Sequence, residues 1–199
     1  MPIALSAAPG LHPPATPLNV GKPLRKCGLL SDFKMPPNKT RWAMSSPRLI
    51  KGRRSEIGHY YSITTCTAGR SRLFADPIAA QCVIAELKAT GEVGVATTFA
   101  WVAMPDHLHW LFRLERSSIS NAVQRMKCAS ANRINAARQR HGSVWQAGFY
   151  GRRIRTEEDL KRYMRYMIEN PVRAGIVARI DEYPLWGCDG LRRWASRSV

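Results

Sequence analysis

The 199-residue chain sets 31 Lys and Arg against 14 Asp and Glu, a net charge of +17 at a pI near 10.5, and an excess of this size points to a polyanionic partner. No apolar run approaches the ~20 residues of a membrane-spanning helix, and no basic amphipathic helix with a broad apolar face stands out. Five cysteines, scattered and odd in number, argue against a disulfide framework or a Cys-based zinc site and fit a reducing cytoplasm.

Residues 1–47 are rich in Pro, Ala, Gly and Lys without sustained periodicity and read as a disordered leader. They lack a basic segment followed by an apolar one, so they are not a secretory signal; Met44 is an alternative start. An ordered domain is expected over residues 48–187, followed by a basic tail, 188–199. Within the domain, β-branched and aromatic "HYYSITTCTA" (His59–Ala68) reads as a strand. In "ADPIAAQCVIAELKATG", Asp76 is the expected N-cap, Pro77 the first helical residue and Gly91 the stop. Ile78, Cys82, Ile84, Ala85 and Leu87 form its apolar stripe. "VGVATTFAWVAM" (Val93–Met104) is a second strand, Pro105-Asp106 a tight turn, and "HLHWLFRL" (His107–Leu114) a third strand antiparallel to it. Ser118–Gly142 reads as a long basic helix ended by glycine, Ser143–Arg155 carries the last strand, and Thr156 caps the helix "TEEDLKRYMRYMIEN". The order β-α-β-β-α-β is the ferredoxin-like α+β pattern: an antiparallel sheet with helices on one face, here with an additional C-terminal helix that bears tyrosines.

On a strand, residues i and i+2 share a face, so His107 and His109 stand side by side, about 6.5–7 Å apart at the backbone. Two imidazoles so placed can converge on one ion, while Leu108, Trp110 and Phe112 point into the core and fix the register. The plain alternative is a pair of half-exposed strand histidines hydrogen-bonded to their neighbours. In the last helix Tyr166 and Asn170 are four apart, with Tyr163 one turn earlier. If that helix covers the histidine face, Asn170 can complete a three-ligand site with Tyr166 pointing at it; the plain alternative is amphipathic packing with wet hydroxyls.

Three motifs, "AWVAMPDHLHWLF", "VWQAGFYGRRIRTEEDL" and "YMIENPVRAGIV", occur in order between about Arg48 and Trp186. Together they resemble the REP-associated tyrosine transposases, single-tyrosine relatives of the HUH transposases of bacterial insertion sequences. The resemblance implies a domain that binds single-stranded DNA hairpins, the repetitive extragenic palindromes, and cleaves and rejoins them through a covalent 5′-phosphotyrosine. By position it implies His107 and His109 as the metal pair, Asn170 as the third ligand and Tyr166 as the nucleophile. The expected cofactor is Mg²⁺ or Mn²⁺, which polarises the scissile phosphate. Expected DNA contacts are Arg53, Arg54, Arg125, Lys127, Arg152, Arg153 and Arg155. Trp145, Phe149 and Tyr150 are either base-stacking residues or core. The protein is expected in the cytoplasm with the nucleoid, not at a membrane, as a monomer or homodimer. A competing reading is a hairpin-binding protein of the same fold that does not cleave. A zinc deaminase built on H-x-H is disfavoured, because the paired cysteines and H-x-E signature are absent.

Overall fold

A computed structural model describes residues 55–188. The expected leader, Arg53, Arg54 and the tail from residue 189 lie outside the described residues. The elements are β1 (Tyr60–Cys66), α1 (Pro77–Glu92), β2 (Ala96–Met104), β3 (His107–Leu114), α2 (Ile119–Ala137), β4 (Tyr150–Ile154), α3 (Glu157–Ile168), a single helical turn α4 (Asn170–Arg173) and a two-residue β5 (Trp186–Gly187). The sheet is antiparallel with strand order β4-β1-β3-β2-β5. Its first four strands have the ferredoxin-like arrangement, and β5 is an added edge strand with no counterpart in the sequence reading.

Alternation along the strands divides the sheet into two faces. One carries Tyr61, Ile63, Trp101, Ala103, Leu108, Trp110 and Phe112, covered by α1 and α2 through Val83, Leu87, Val123 and Met126. The opposite face carries Ala100, Val102, Met104 and Leu111, covered by Leu160, Met164, Met167 and Ile168 of α3. Those four recur at helical spacing, so one stripe of α3 is buried. A β-bulge between Thr98 and Ala100 inserts Phe99, and both Phe99 and Ala100 then join the α3 side. The edge strand β5 sits on β2 at a position only glycine permits: a Cβ on Gly187 would meet Trp101 Nε1 at 2.6 Å.

Helix starts follow their expected caps. Asp76 accepts from the Ile78 amide, Ser118 from Asn121 and Thr156 from Asp159. Helix ends do not. Gly91 lies inside α1, which runs to Glu92, and Gly94 at φ +66° makes the exit. The buried stripe of α1 is Ala79, Ala80, Val83, Glu86, Leu87 and Thr90, whereas Ile78 is exposed. In α2 the helix stops at Ala137, short of Gly142, because Arg138 forms the C-cap and Gln139 takes φ +47°.

Candidate active site

The site begins at the hairpin between β2 and β3. Met104 pairs with His107, so Pro105 and Asp106 alone make the turn, and His107 is the first strand residue. His107 and His109 lie on the α3 side of the sheet, opposite Leu108 and Trp110. Their Nε2 atoms are 3.1 Å apart, with the rings edge to face. Each outer nitrogen has a partner: His107 Nδ1 meets Asp106 Oδ1 at 2.5 Å, and His109 Nδ1 meets Thr64 Oγ1 at 2.9 Å. Thr64 is the cross-strand neighbour of His109 on β1. Such outer partners fix the tautomer and aim the inner nitrogens at a common point. Two ligand bonds of about 2.1 Å meeting near a right angle span about 3 Å, so the pair fits a divalent ion held by two imidazoles.

Electrostatics favour the ligand form. Burial pushes His109 well below the ordinary imidazole value, the charges of His107 and Arg173 push the same way, and Asp106 opposes them. His109 is therefore neutral and keeps a lone pair for a cation. Burial alone would raise the Asp106 carboxyl, but the hydrogen bond and charge of His107 and those of Arg70 hold it below its usual range. Arg70 Nη1 reaches Asp106 Oδ2 at 3.1 Å, so the carboxylate is gripped on both oxygens. Among the described residues no group of three or more His, Cys, Asp or Glu is placed to hold a metal ion.

On α3, Tyr163 and Tyr166 are neighbours, ring centroids 6.2 Å apart. Tyr163 packs against the α3-side cluster, and burial pushes its phenol up. Asn170 does not continue α3; it opens α4 after a break at Glu169. Its Nδ2 donates to the Met167 carbonyl at 2.9 Å, and its Oδ1 accepts from Arg173 Nη2 at 2.6 Å. The oxygen expected to serve as third ligand is thus engaged by a guanidinium. That same guanidinium lies 3.7 Å from the Tyr166 ring centroid, which links Tyr166, Asn170 and the electrostatics of His109 through one side chain.

The expected DNA contacts are dispersed. Arg152 is exposed and, paired with Ser62, belongs to the histidine face of β4. Arg153 points to the other face and meets Glu56 Oε2 at 2.9 Å. Arg155 is exposed where β4 leads into α3, and Arg125 is exposed on α2, across the sheet from the histidines. Lys127 is committed elsewhere: its ammonium donates to the Gln146 and Gly148 carbonyls at 2.5 and 2.8 Å, and burial pushes it below the usual lysine value. Trp145 is core, packed on Phe74, with its indole N–H donating to Ser130 Oγ. Three residues that orient the site were missed in sequence: Thr64, Asp106 and Arg173. Only Asp106, adjacent to the H-x-H pair, offered a signal.

The family model "Transposase IS200 like" matches residues 55–170. A Haemophilus influenzae protein described as a REP-associated tyrosine transposase is 27 % identical over 99 residues, 44 % of this chain and 56 % of that one. The REP-associated tyrosine transposase of Escherichia coli is 26 % identical over 87 residues, 43 % of this chain and 50 % of its own. The chain thus spans about half the length of these curated relatives. A solved REP-associated tyrosine transposase bound to a REP hairpin has a similar fold, with TM-score 0.58 at 22 % identity over 78 % of this chain and 88 % of that one. Among the described residues no helix is long and apolar enough to cross a membrane.

Proposed function

The chain belongs to the IS200-like transposase family, and from that premise we propose that it binds single-stranded DNA hairpins of the repetitive extragenic palindrome type and cleaves and rejoins them through Tyr166. The observation that carries this reading is the convergence of His107 and His109 Nε2 at 3.1 Å, with both outer nitrogens held. When bound there, Mg²⁺ or Mn²⁺ supplies Lewis-acid polarisation of the scissile phosphate. His107 and His109 would hold the ion, and Asn170 would join them once its oxygen is released by Arg173.

Tyr166 acts as the nucleophile. Its phenol oxygen bonds to phosphorus, the bond from phosphorus to the 3′-oxygen breaks, and the phenol proton is lost. The 3′-oxygen takes up a proton and leaves as a hydroxyl, and the 5′ phosphate stays on the tyrosine. Because a phosphodiester replaces a phosphodiester, attack by a 3′-hydroxyl reverses the step without ATP. Tyr163 is the weaker candidate, since its burial disfavours the phenolate. Arg152 and Arg155, exposed on β4 and just after it ahead of α3, are suited to phosphates of the flanking single strand.

The test uses the full chain, Mn²⁺ and a labelled hairpin oligonucleotide selected by binding from a pool with randomised flanks. A denaturation-resistant adduct that Tyr166→Phe abolishes is the expected result. Hairpin retention without any adduct would leave the non-cleaving binding protein as the function, and an adduct that survives Tyr166→Phe would move the nucleophile.

A further inference from the structure

Arg173 holds the Asn170 oxygen, and the groups it touches belong to the site. Its guanidinium carbon stands 3.7 Å from the Tyr166 ring centroid, its Nη2 donates to Asn170 Oδ1, and it is close enough for its charge to act on His109. Among the described residues the carboxylate it pairs with is Glu169, 3.9 Å away and one helical turn back. A partly solvated pair that long is weak, so Glu169 is not a strong anionic partner for this cation. About a third of its side chain, 32 %, remains in solvent, leaving an approach open to an anion.

The residue type suits an anion of one kind. A guanidinium is charged at every working pH and presents five donors in a planar fork that matches phosphate oxygens. Stacking on Tyr166 holds that fork at a set distance from the phenol. The cation is therefore positioned before any substrate arrives, the condition under which a donor is worth most as charge develops. The Asn170 oxygen it holds does not require a positive charge, since a neutral donor satisfies an amide oxygen.

We propose that Arg173 binds a non-bridging oxygen of the phosphate that Tyr166 attacks, a role that rests on Tyr166 being the nucleophile. Arg173 keeps its protons throughout the transfer. As the phenol oxygen bonds to phosphorus and the 3′-oxygen departs, it faces the oxygens that carry the phosphoryl charge. In moving a donor from Asn170 to the phosphate it also frees Asn170 Oδ1, so substrate arrival and completion of the ligand set are one event.

The experiment compares wild type, Arg173→Gln, Arg173→Lys and Tyr166→Phe as full chains, with Mn²⁺ and the selected hairpin oligonucleotide. A second oligonucleotide carries a neutral methylphosphonate at the cleavage position mapped with wild type. Arg173→Gln keeps amide donors for Asn170, and its melting temperature checks its fold. It should slow adduct formation about 100-fold, the scale of losing one preorganised donor to a developing anion. Arg173→Lys should recover about tenfold of that loss, and hairpin affinity should stay within about threefold of wild type for both. The methylphosphonate should slow wild type far more than Arg173→Gln, because the two changes remove one interaction. An Arg173→Gln rate within about twofold of wild type, or independent losses from the two changes, overturns the proposal. Those results leave the tyrosine reading standing. No adduct with wild type, or undiminished adduct with Tyr166→Phe, overturns the tyrosine reading and this proposal with it.

Discussion

The two faces of the sheet are written by alternate residues of the same strands, yet they are built to opposite ends. Toward α1 and α2, Ile63, Leu108, Trp110 and Phe112 are sealed from solvent, and the one polar atom of Trp110 is satisfied by Thr98 Oγ1 at 3.0 Å. Toward α3, the residues between them are Thr64, His107 and His109, with Tyr163, Tyr166 and Arg173 arriving from the covering helices. His109 is as inaccessible as core, 6 % exposed, but its ring meets polar atoms on both sides, Thr64 Oγ1 at Nδ1 and His107 Nε2 at Nε2. The contrast teaches where the precision of the site comes from. A one-residue slip of β3 would exchange the two faces, and the dry face makes that slip prohibitively costly. Packing on the dry face thereby fixes the face on which His107 and His109 stand.

The sharpest break between the faces is chemical. Tyr166→Phe removes one oxygen from the α3 side and should lower adduct formation on the order of 10⁴-fold or more, while unfolding free energy in urea changes by less than about 0.5 kcal/mol. On the opposite face, Trp110→Ala should cost about 3–5 kcal/mol of stability in the same titration. If Trp110→Ala is tolerated within about 1 kcal/mol, the dry face is not what fixes the register.

Smaller effects divide the polar face itself. Asp106→Asn removes the charge that orients His107 and should weaken Mn²⁺ binding about 10–100-fold, read by electron paramagnetic resonance of the free ion. Its folding stability should fall modestly, because His107 and Arg70 lose the charge they hold. The smallest effect is on the metal-free protein in acid. Because the folded value of His109 lies well below its unfolded value, the unfolded chain takes up that proton first. The stability from this group is complete above pH ~6.5 and declines as pH falls below it, by at most about 1.4 kcal/mol per unit. His109→Asn should flatten that slope below about pH 6.5, and an unchanged slope would mean that His109 is not the group being titrated.

What was legible in the chain was what local pattern dictates. The alternation of "HLHWLF" gave the register of β3, and Asp76-Pro77 and Thr156 gave helix starts, because a cap acts within three residues of itself. Helix ends were misread because Gly91 and Gly142 looked like stops, while the exits were made by Gly94 and by Gln139 in a conformation glycine usually takes. The β5 strand is two residues long and exists because Gly187 lets it lie against Trp101, a fact no local pattern carries. The same limit hid half of the site. Thr64 and His109 are 45 residues apart and meet only because β1 pairs with β3. Arg173 acquires meaning from the turn that brings it back over Tyr166. Lys127 read as a phosphate contact from its charge, and only the fold shows it holding two loop carbonyls.

The two tyrosines of α3 can be told apart directly. Trypsin cuts after Arg162, Arg165 and Arg173, placing Tyr163 on the peptide 163–165 and Tyr166 on 166–173. After reaction of the full chain with Mn²⁺ and the selected hairpin, nuclease trimming and trypsin digestion, mass spectrometry should find the nucleotide phosphate on peptide 166–173. Its presence on 163–165 instead, or unmodified peptides alone, would contradict the account.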